Sequence, residues 1–307
     1  MTRYLDAIKT MRAGKCMLID GATATELERR GVPQLKNAWN GGGALSHPNI
    51  LKEIHSEYIS LGAKLIISNT FATCRHTLED ADQAHNFKKL NSEGVRLALE
   101  ARSDSGANEV LVGGGISYWS FTGRNPSLSQ LNDNISEQAS ILANAGSDLL
   151  ILEMMKDVDR LVVTLEAALK TGLPVWVGLS CKKNIDGNIV LLGGESLKDA
   201  IVEISNSNID VINIMHTEID DVDDCLDILD HHWGGLRGVY AHSGTFKDSK
   251  SDTDAENTDW TFEDVISPEA YAEYTKKWAS RDINLIGGCC GISTEHMRYV
   301  SQIMGYS

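Results

Sequence analysis

The residues with most chemistry to offer lie near the end of the chain, in Ile286-Gly287-Gly288-Cys289-Cys290-Gly291. Adjacent cysteines on a regular strand point to opposite faces, because side chains alternate. Glycines on both sides relax the backbone, so a tight turn can aim both sulfurs at one point. Two thiolates and one imidazole from another loop would leave a fourth tetrahedral position open, which is the pattern of a catalytic zinc site. Imidazoles are on offer at His216 and His242, and carboxylates at Asp20 and Glu153. A vicinal pair alone also fits buried, inert cysteine. It is the glycine setting and the histidines and acids at matching places that give this one its meaning.

Those places are the ends of short apolar runs. Runs rich in Val, Ile and Leu span residues 16–20, 64–68, 110–114, 148–153, 174–180, 210–216, 236–242 and 283–288. Their nearly continuous apolar character is that of strands buried on both faces. The intervals are long enough for crossover helices, and helical spacing recurs over 48–61, 83–101, 136–146, 161–171 and 267–280. Ser46-His47-Pro48 marks one helix start, and Gly62, Gly146 and Gly172 mark three ends. Eight β-then-α units predict a (β/α)8 TIM barrel, one α/β domain over residues 1–307. A doubly wound open sheet alternates in the same way, but no Gly-x-Gly-x-x-Gly turn follows the first run. In a barrel the chemistry gathers at the C-terminal strand ends. Those ends here hold Asp20-Gly21, Ser68-Asn69-Thr70, Gly113-Gly114-Gly115, Glu153, Ser180-Cys181, His216-Thr217, His242-Ser243-Gly244 and the Cys-Cys turn. Residues 247–259, rich in Asp, Ser and Thr, are either a loop over that face or a solvated excursion.

Composition narrows the class. The chain of 307 residues carries 28 Lys and Arg against 43 Asp and Glu, a net charge of −15. That balance disfavours nucleic acid, which demands a basic face. No run approaches the ~18 apolar residues of a membrane span. The opening Met1-Thr2-Arg3-Tyr4-Leu5-Asp6 is unlike a signal peptide, and six cysteines are too few for a disulfide scaffold. The expectation is a cytoplasmic enzyme without nucleic-acid or membrane partners; the sequence is also compatible with a homo-oligomer.

Several segments, taken in order, resemble the homocysteine S-methyltransferase family. Residues 18–27, reading Leu-Ile-Asp-Gly-Ala-Thr-Ala-Thr-Glu-Leu, are similar to its opening strand and Asp-Gly turn. Trp39, Pro48, His55, Gly62-Ala63 and Ser68-Asn69-Thr70-Phe71 are similar to its second unit, and Leu152-Glu153 to the end of its fourth strand. Residues 286–291, with Glu295-His296 after them, are similar to the signature that closes the barrel. The family usually draws three thiolates to zinc, the first from the end of strand six. Here a gapless match sets His216 at that place, which implies a Cys2His site of His216, Cys289 and Cys290. Such a site is formally neutral where three thiolates give −1. An incoming thiol should then ionise more easily and attack less avidly. Cys225, inside the following helix, reads as core, and Cys16, Cys74 and Cys181 as inert.

The resemblance implies methyl transfer to the thiolate of homocysteine, forming methionine, with Zn2+ as Lewis acid. Asp20 and Glu153 would pair with the amino acid's ammonium. Backbone amides near Gly21 and Ala22 and side chains of Ser68 or Thr70 would take its carboxylate, with Asn69 beside them. No segment is set aside for cobalamin or folate, so a small onium donor is expected, a sulfonium such as S-methylmethionine before betaine. Aromatic faces hold such cations. Trp39 matches an aromatic of the family's donor pocket, whereas Ala72 and Met154 fall where the betaine enzyme carries tyrosines. Tyr118, Trp119 and Phe121 are candidate replacements, or simply loop packing. Two other readings are a zinc- or thiol-binding barrel, acting on a different thiol or without transferase activity, and a zinc hydrolase. The Cys-Cys ligation and the lack of a His-x-His pair after strand one disfavour the hydrolase.

Overall fold

The apolar runs become strands because neither face of them meets water. Every residue of Leu111–Ile116, Leu149–Met155 and Val175–Leu179 is buried. The computed structural model describes residues 2–248 and 260–306. Among these, eight parallel strands form one sheet: β1 (Met17–Leu18), β2 (Leu65–Ile67), β3 (Leu111–Ile116), β4 (Leu149–Met155), β5 (Val175–Leu179), β6 (Val211–Glu218), β7 (Leu236–His242) and β8 (Leu285–Ile286). Successive strands pair in chain order, β8 pairs with β1, and a bridge from Ile19 to Leu65 joins β1 to β2. The ring is thus a (β/α)8 barrel, as the eight runs predict.

The expected helices form; two start earlier than their apolar spacing, at side-chain caps, whereas the one expected over 83–101 spans Phe87–Asp104. The helix Leu128–Asn144 starts eight residues before the apolar periodicity of 136–146 does. Ser127 accepts from the Gln130 amide, and the Gln130 side chain returns to the Ser127 amide. Asp157 and Ser267 cap Val158–Leu169 and Pro268–Ala279 in the simpler way. Pro48–Ser60 opens on its proline.

Two apolar layers result, one between strands and helices and one inside the ring. The inner layer has a floor that the sequence reading leaves out. Helix α1 (Thr2–Arg12) buries Tyr4, Ala7, Ile8 and Met11, and these join the barrel interior with Met17, Leu65, Trp176 and Leu236. Two antiparallel hairpins decorate the opposite end: Cys181–Lys183 with Ile189–Leu191, and Thr245–Asp248 with Trp260–Glu263. Of the segment 247–259, only Lys247 and Asp248 are covered, ending a hairpin strand; 249–259 lie outside the described residues. No described helix is long and apolar enough to cross a membrane.

Candidate active site

The C-terminal strand ends surround a cavity of about 380 Å3. Two strands reach it through irregular backbone. On β6 the pairing with β7 shifts register between Met215 and Glu218, and His216 adopts φ 44°. On β4 the pairing with β5 shifts between Leu152 and Met155, and Met154 adopts φ 60°. Left-handed backbone at such side chains costs of order 1–3 kcal/mol and persists only where its surroundings enforce it. At β6 they do. Thr217 Oγ1 donates to the Met215 carbonyl at 3.0 Å and accepts from the Cys181 amide at 3.0 Å. Ser180 Oγ donates to the same carbonyl at 2.9 Å. The bulge breaks strand alternation and turns His216 toward β8.

After β8 the Cys-Cys pair sits in a turn closed by the Ile292 amide on the Cys289 carbonyl at 3.0 Å. Gly291 follows at φ 80°, where an added Cβ would lie 2.3 Å from the Ser243 carbonyl oxygen, so only glycine fits. The two Sγ atoms stand 3.9 Å apart, and Cys289 Sγ is 3.6 Å from His216 Nδ1. All three ligand atoms lie within 4.8 Å of one another. A tetrahedral zinc with ordinary bond lengths would set sulfurs roughly 3.8 Å apart, and sulfur and nitrogen roughly 3.6 Å apart. The donor set therefore fits such an ion in kind, and both spacings from Cys289 match it. The hydrogen bond with Cys290, reinforced by His216, holds the Cys289 thiol well below its ordinary range, while the same contact pushes Cys290 up. His242 packs its ring 4.5 Å from that of His216 and bonds Glu218 Oε1 through Nε2 at 3.0 Å. Burial alone would lower His242, but Glu218 outweighs it and the net shift is upward.

Asp20 and Glu153 both line the cavity and are almost fully buried. Burial pushes both pKa values well above the usual carboxylate range. At Asp20 the Ile67 amide, donating to Oδ2 at 2.7 Å, opposes that rise. At Glu153 the charges of Cys289 and Asp20 add to it.

Most of the other residues singled out from the sequence line the same space, namely Gly21, Ala22, Trp39, Ser68, Asn69 and Trp119. Their free valences differ. The Ala22 amide donates to the Ile292 carbonyl at 2.9 Å, and Asn69 Nδ2 to the Asn40 carbonyl at 2.9 Å. Thr70 stands behind the wall: Oγ1 meets Ser68 Oγ at 2.7 Å and donates to the Gly115 carbonyl at 2.7 Å. It therefore positions Ser68 and does not face the cavity. Tyr118 is likewise turned away. Its hydroxyl accepts from the Lys156 amide at 2.9 Å and fixes the loop after β4, so its placement is that of loop packing. Trp119 already has Lys156 Nζ 5.1 Å above its ring.

The aromatic wall beside Cys290 is Trp39 with Phe121 and Phe262. The Trp39 and Phe121 rings are 6.4 Å apart, and Phe262 meets His216 edge-on at 6.5 Å. Phe262, Tyr240 and Met215 also line the cavity and are not picked out by motif. Tyr240 had a usable signal, since it shares strand parity with His242. Phe262 lies just past the polar segment 247–259, on a hairpin strand outside the eight apolar runs.

Comparison with known proteins gives the family. The family model described as homocysteine S-methyltransferase matches residues 17–304. Homocysteine S-methyltransferase 1 of Zea mays is 25% identical over 319 residues, covering 95% of each chain. A selenocysteine methyltransferase of Astragalus bisulcatus is 24% identical over 331 residues, with 95% of this chain and 94% of that protein covered. The metallated form of the Escherichia coli homocysteine methyltransferase MmuM superposes with a TM-score of 0.77 at 20% identity, over 94% of this chain and 96% of the other; at that identity the likeness is one of fold. Since the family match begins at β1 and runs past the Cys-Cys turn into the last helix, the chain belongs to the homocysteine S-methyltransferase family and is a methyltransferase.

Proposed function

We propose that the barrel, acting as one homocysteine-binding unit, moves a methyl group from a small onium donor to the thiol of homocysteine, giving methionine, with zinc held by His216, Cys289 and Cys290. The observation that carries this reading is the convergence, in one cavity, of a three-ligand cluster, two buried acids and an aromatic wall. A zinc ion held there would supply the Lewis acidity that keeps a thiol ionised, and hence nucleophilic, near neutral pH. Asp20 and Glu153 grip the ammonium, and the backbone around Gly21 receives the carboxylate. This fixes the acceptor's sulfur at the ligand cluster. Trp39, Phe121 and Phe262 offer ring faces to a sulfonium or quaternary ammonium on the far side. The thiolate sulfur, the methyl carbon and the donor's onium atom are thereby brought into line for direct transfer. With S-methylmethionine as donor, its neutral thioether leaves as a second methionine, so each turnover yields two.

A different acceptor is the second reading, favoured by the likeness to the selenocysteine methyltransferase. Selenocysteine would be gripped through its ammonium by the same two acids, with its selenol at the ligand cluster.

The test is direct. Purified protein should hold about one zinc per chain and form methionine from homocysteine and S-methylmethionine, with betaine as the weaker donor. His216→Ala should lower zinc content sharply. Metal-free protein, or no turnover with homocysteine or selenocysteine across both donors, overturns the proposal; full zinc in His216→Ala overturns the ligand assignment.

A further inference from the structure

Tyr240 lies on the inner face of β7 with its hydroxyl buried among groups that do not satisfy it. The residue is 2% exposed, lines the cavity, and its oxygen has no hydrogen-bond partner. An unpaired buried hydroxyl costs about 1–3 kcal/mol, and in a native fold such a group calls for a ligand, a water or a function. Space is kept for it. A Cβ added at Gly178 on β5 would stand 2.8 Å from the Tyr240 oxygen, just as one at Gly115 on β3 would stand 2.6 Å from Glu153 Oε2. Two glycines thus clear the interior for two polar ends that enter the same part of the barrel. The charges felt by the phenol are those of Glu153, Cys289 and Asp20, which with burial raise its pKa and keep its proton on.

We infer that the Tyr240 hydroxyl is the third acceptor for the ammonium of the amino-acid thiol, completing the grip of Asp20 and Glu153. An ammonium has three N–H donors and is fully held only by three acceptors. Asp20 already takes the Ile67 amide on Oδ2, and the Ser68 hydroxyl is tied to Thr70 and to the Gly115 amide at 3.3 Å. The phenol oxygen offers a lone pair to the ammonium while its proton turns to a neighbouring carboxylate. It would make the site discriminate between an α-amino thiol and the same thiol without its amine. This rests on the amino-acid-thiol reading above.

The experiment compares zinc-loaded wild type with Tyr240→Phe, titrating homocysteine and 4-sulfanylbutanoic acid, the analogue without the amino group, by calorimetry. Wild type should prefer homocysteine. Tyr240→Phe should weaken homocysteine binding about tenfold or more and change the analogue by less than about twofold. Its Tm should hold or rise, because an unpaired buried hydroxyl has been removed. Unchanged homocysteine affinity in the variant, equal losses for both thiols, or a variant that is destabilised or fails to fold would each overturn the inference. A wild type that does not prefer homocysteine overturns the amino-acid-thiol reading itself, and this inference with it.

Discussion

Asp20 and Glu153 are acids that the cavity holds toward their neutral form although an ammonium partner needs them as anions. Burial sets that bias, and the charge near Cys289 adds to it. An ammonium placed between them favours the ionised form, so binding should expel protons. The free protein then carries more protons than the complex, and affinity should climb as pH rises through the acids' elevated range. Calorimetry of homocysteine binding in buffers of different ionisation enthalpy should report proton release, smaller in Glu153→Gln than in wild type. Heats independent of the buffer, or equal release in the variant, would contradict this. Glu153→Gln should also raise the homocysteine Kd about ten- to a hundredfold, the worth of a hydrogen bond to a charged group. The sequence makes these acids, His216 and the two cysteines legible through residue type and position at strand ends. It does not make legible which side chains are already spent: Thr70 and Tyr118 stand beside the right strands but are bonded to backbone. Nor does any pattern of residue types reveal that the bulges at Met154 and His216 turn their side chains.

At the scale of elements, the strands were the readable part, because a strand buried on both faces leaves a short unbroken apolar run rich in β-branched residues, and eight of these recur between helical stretches. Helix starts were less readable: the first three residues of Leu128–Asn144 are exposed and held by a cap, and the apolar spacing of the buried Leu131 and Ile135 lies outside the expected range 136–146. The hairpins were not readable: Cys181–Lys183 has only three residues, two of them exposed lysines. One helix carries a testable burden. His55, within Pro48–Ser60, is 0% exposed, and neither ring nitrogen has a partner. Burial pushes its pKa down from 6.5 to about 4. The unfolded chain therefore binds a proton that the folded one refuses between those values. The resulting stability is intact above pH 6.5 and lost as pH falls toward about 4. Going from pH 7 to pH 5, this residue should cost about 2 kcal/mol of unfolding free energy. His55→Leu should lose correspondingly less over the same interval in urea titrations. Parallel pH dependence in wild type and variant would show that His55 accepts its proton without unfolding.

The whole molecule divides its labour between the two ends of the ring. The His-Cys-Cys cluster, the two acids and the aromatic wall gather at the C-terminal ends of the strands, and α1 seals the other end. The seal has a polar core. The Tyr4 hydroxyl donates to Asp210 Oδ2 at 2.7 Å and accepts from Trp176 Nε1 at 3.0 Å, and Trp176 is wholly buried inside the barrel. Tyr4→Phe keeps the packing but leaves the Trp176 N–H without an acceptor, at a cost of about 1–3 kcal/mol. Tyr4→Ala also opens a cavity beneath the ring and should cost about 3–5 kcal/mol. In a barrel whose chemistry lies at the opposite face, neither change should alter the methyl-transfer rate of the folded fraction. Urea midpoints followed by tryptophan fluorescence would measure the first effect, and homocysteine-dependent methionine formation well below the midpoint the second. A variant that unfolds earlier yet turns over at the wild-type rate places Tyr4 in the floor alone. A fall in rate at full folding would mean instead that the floor and the strand ends move together, with Trp176 and the inner layer above it as the route.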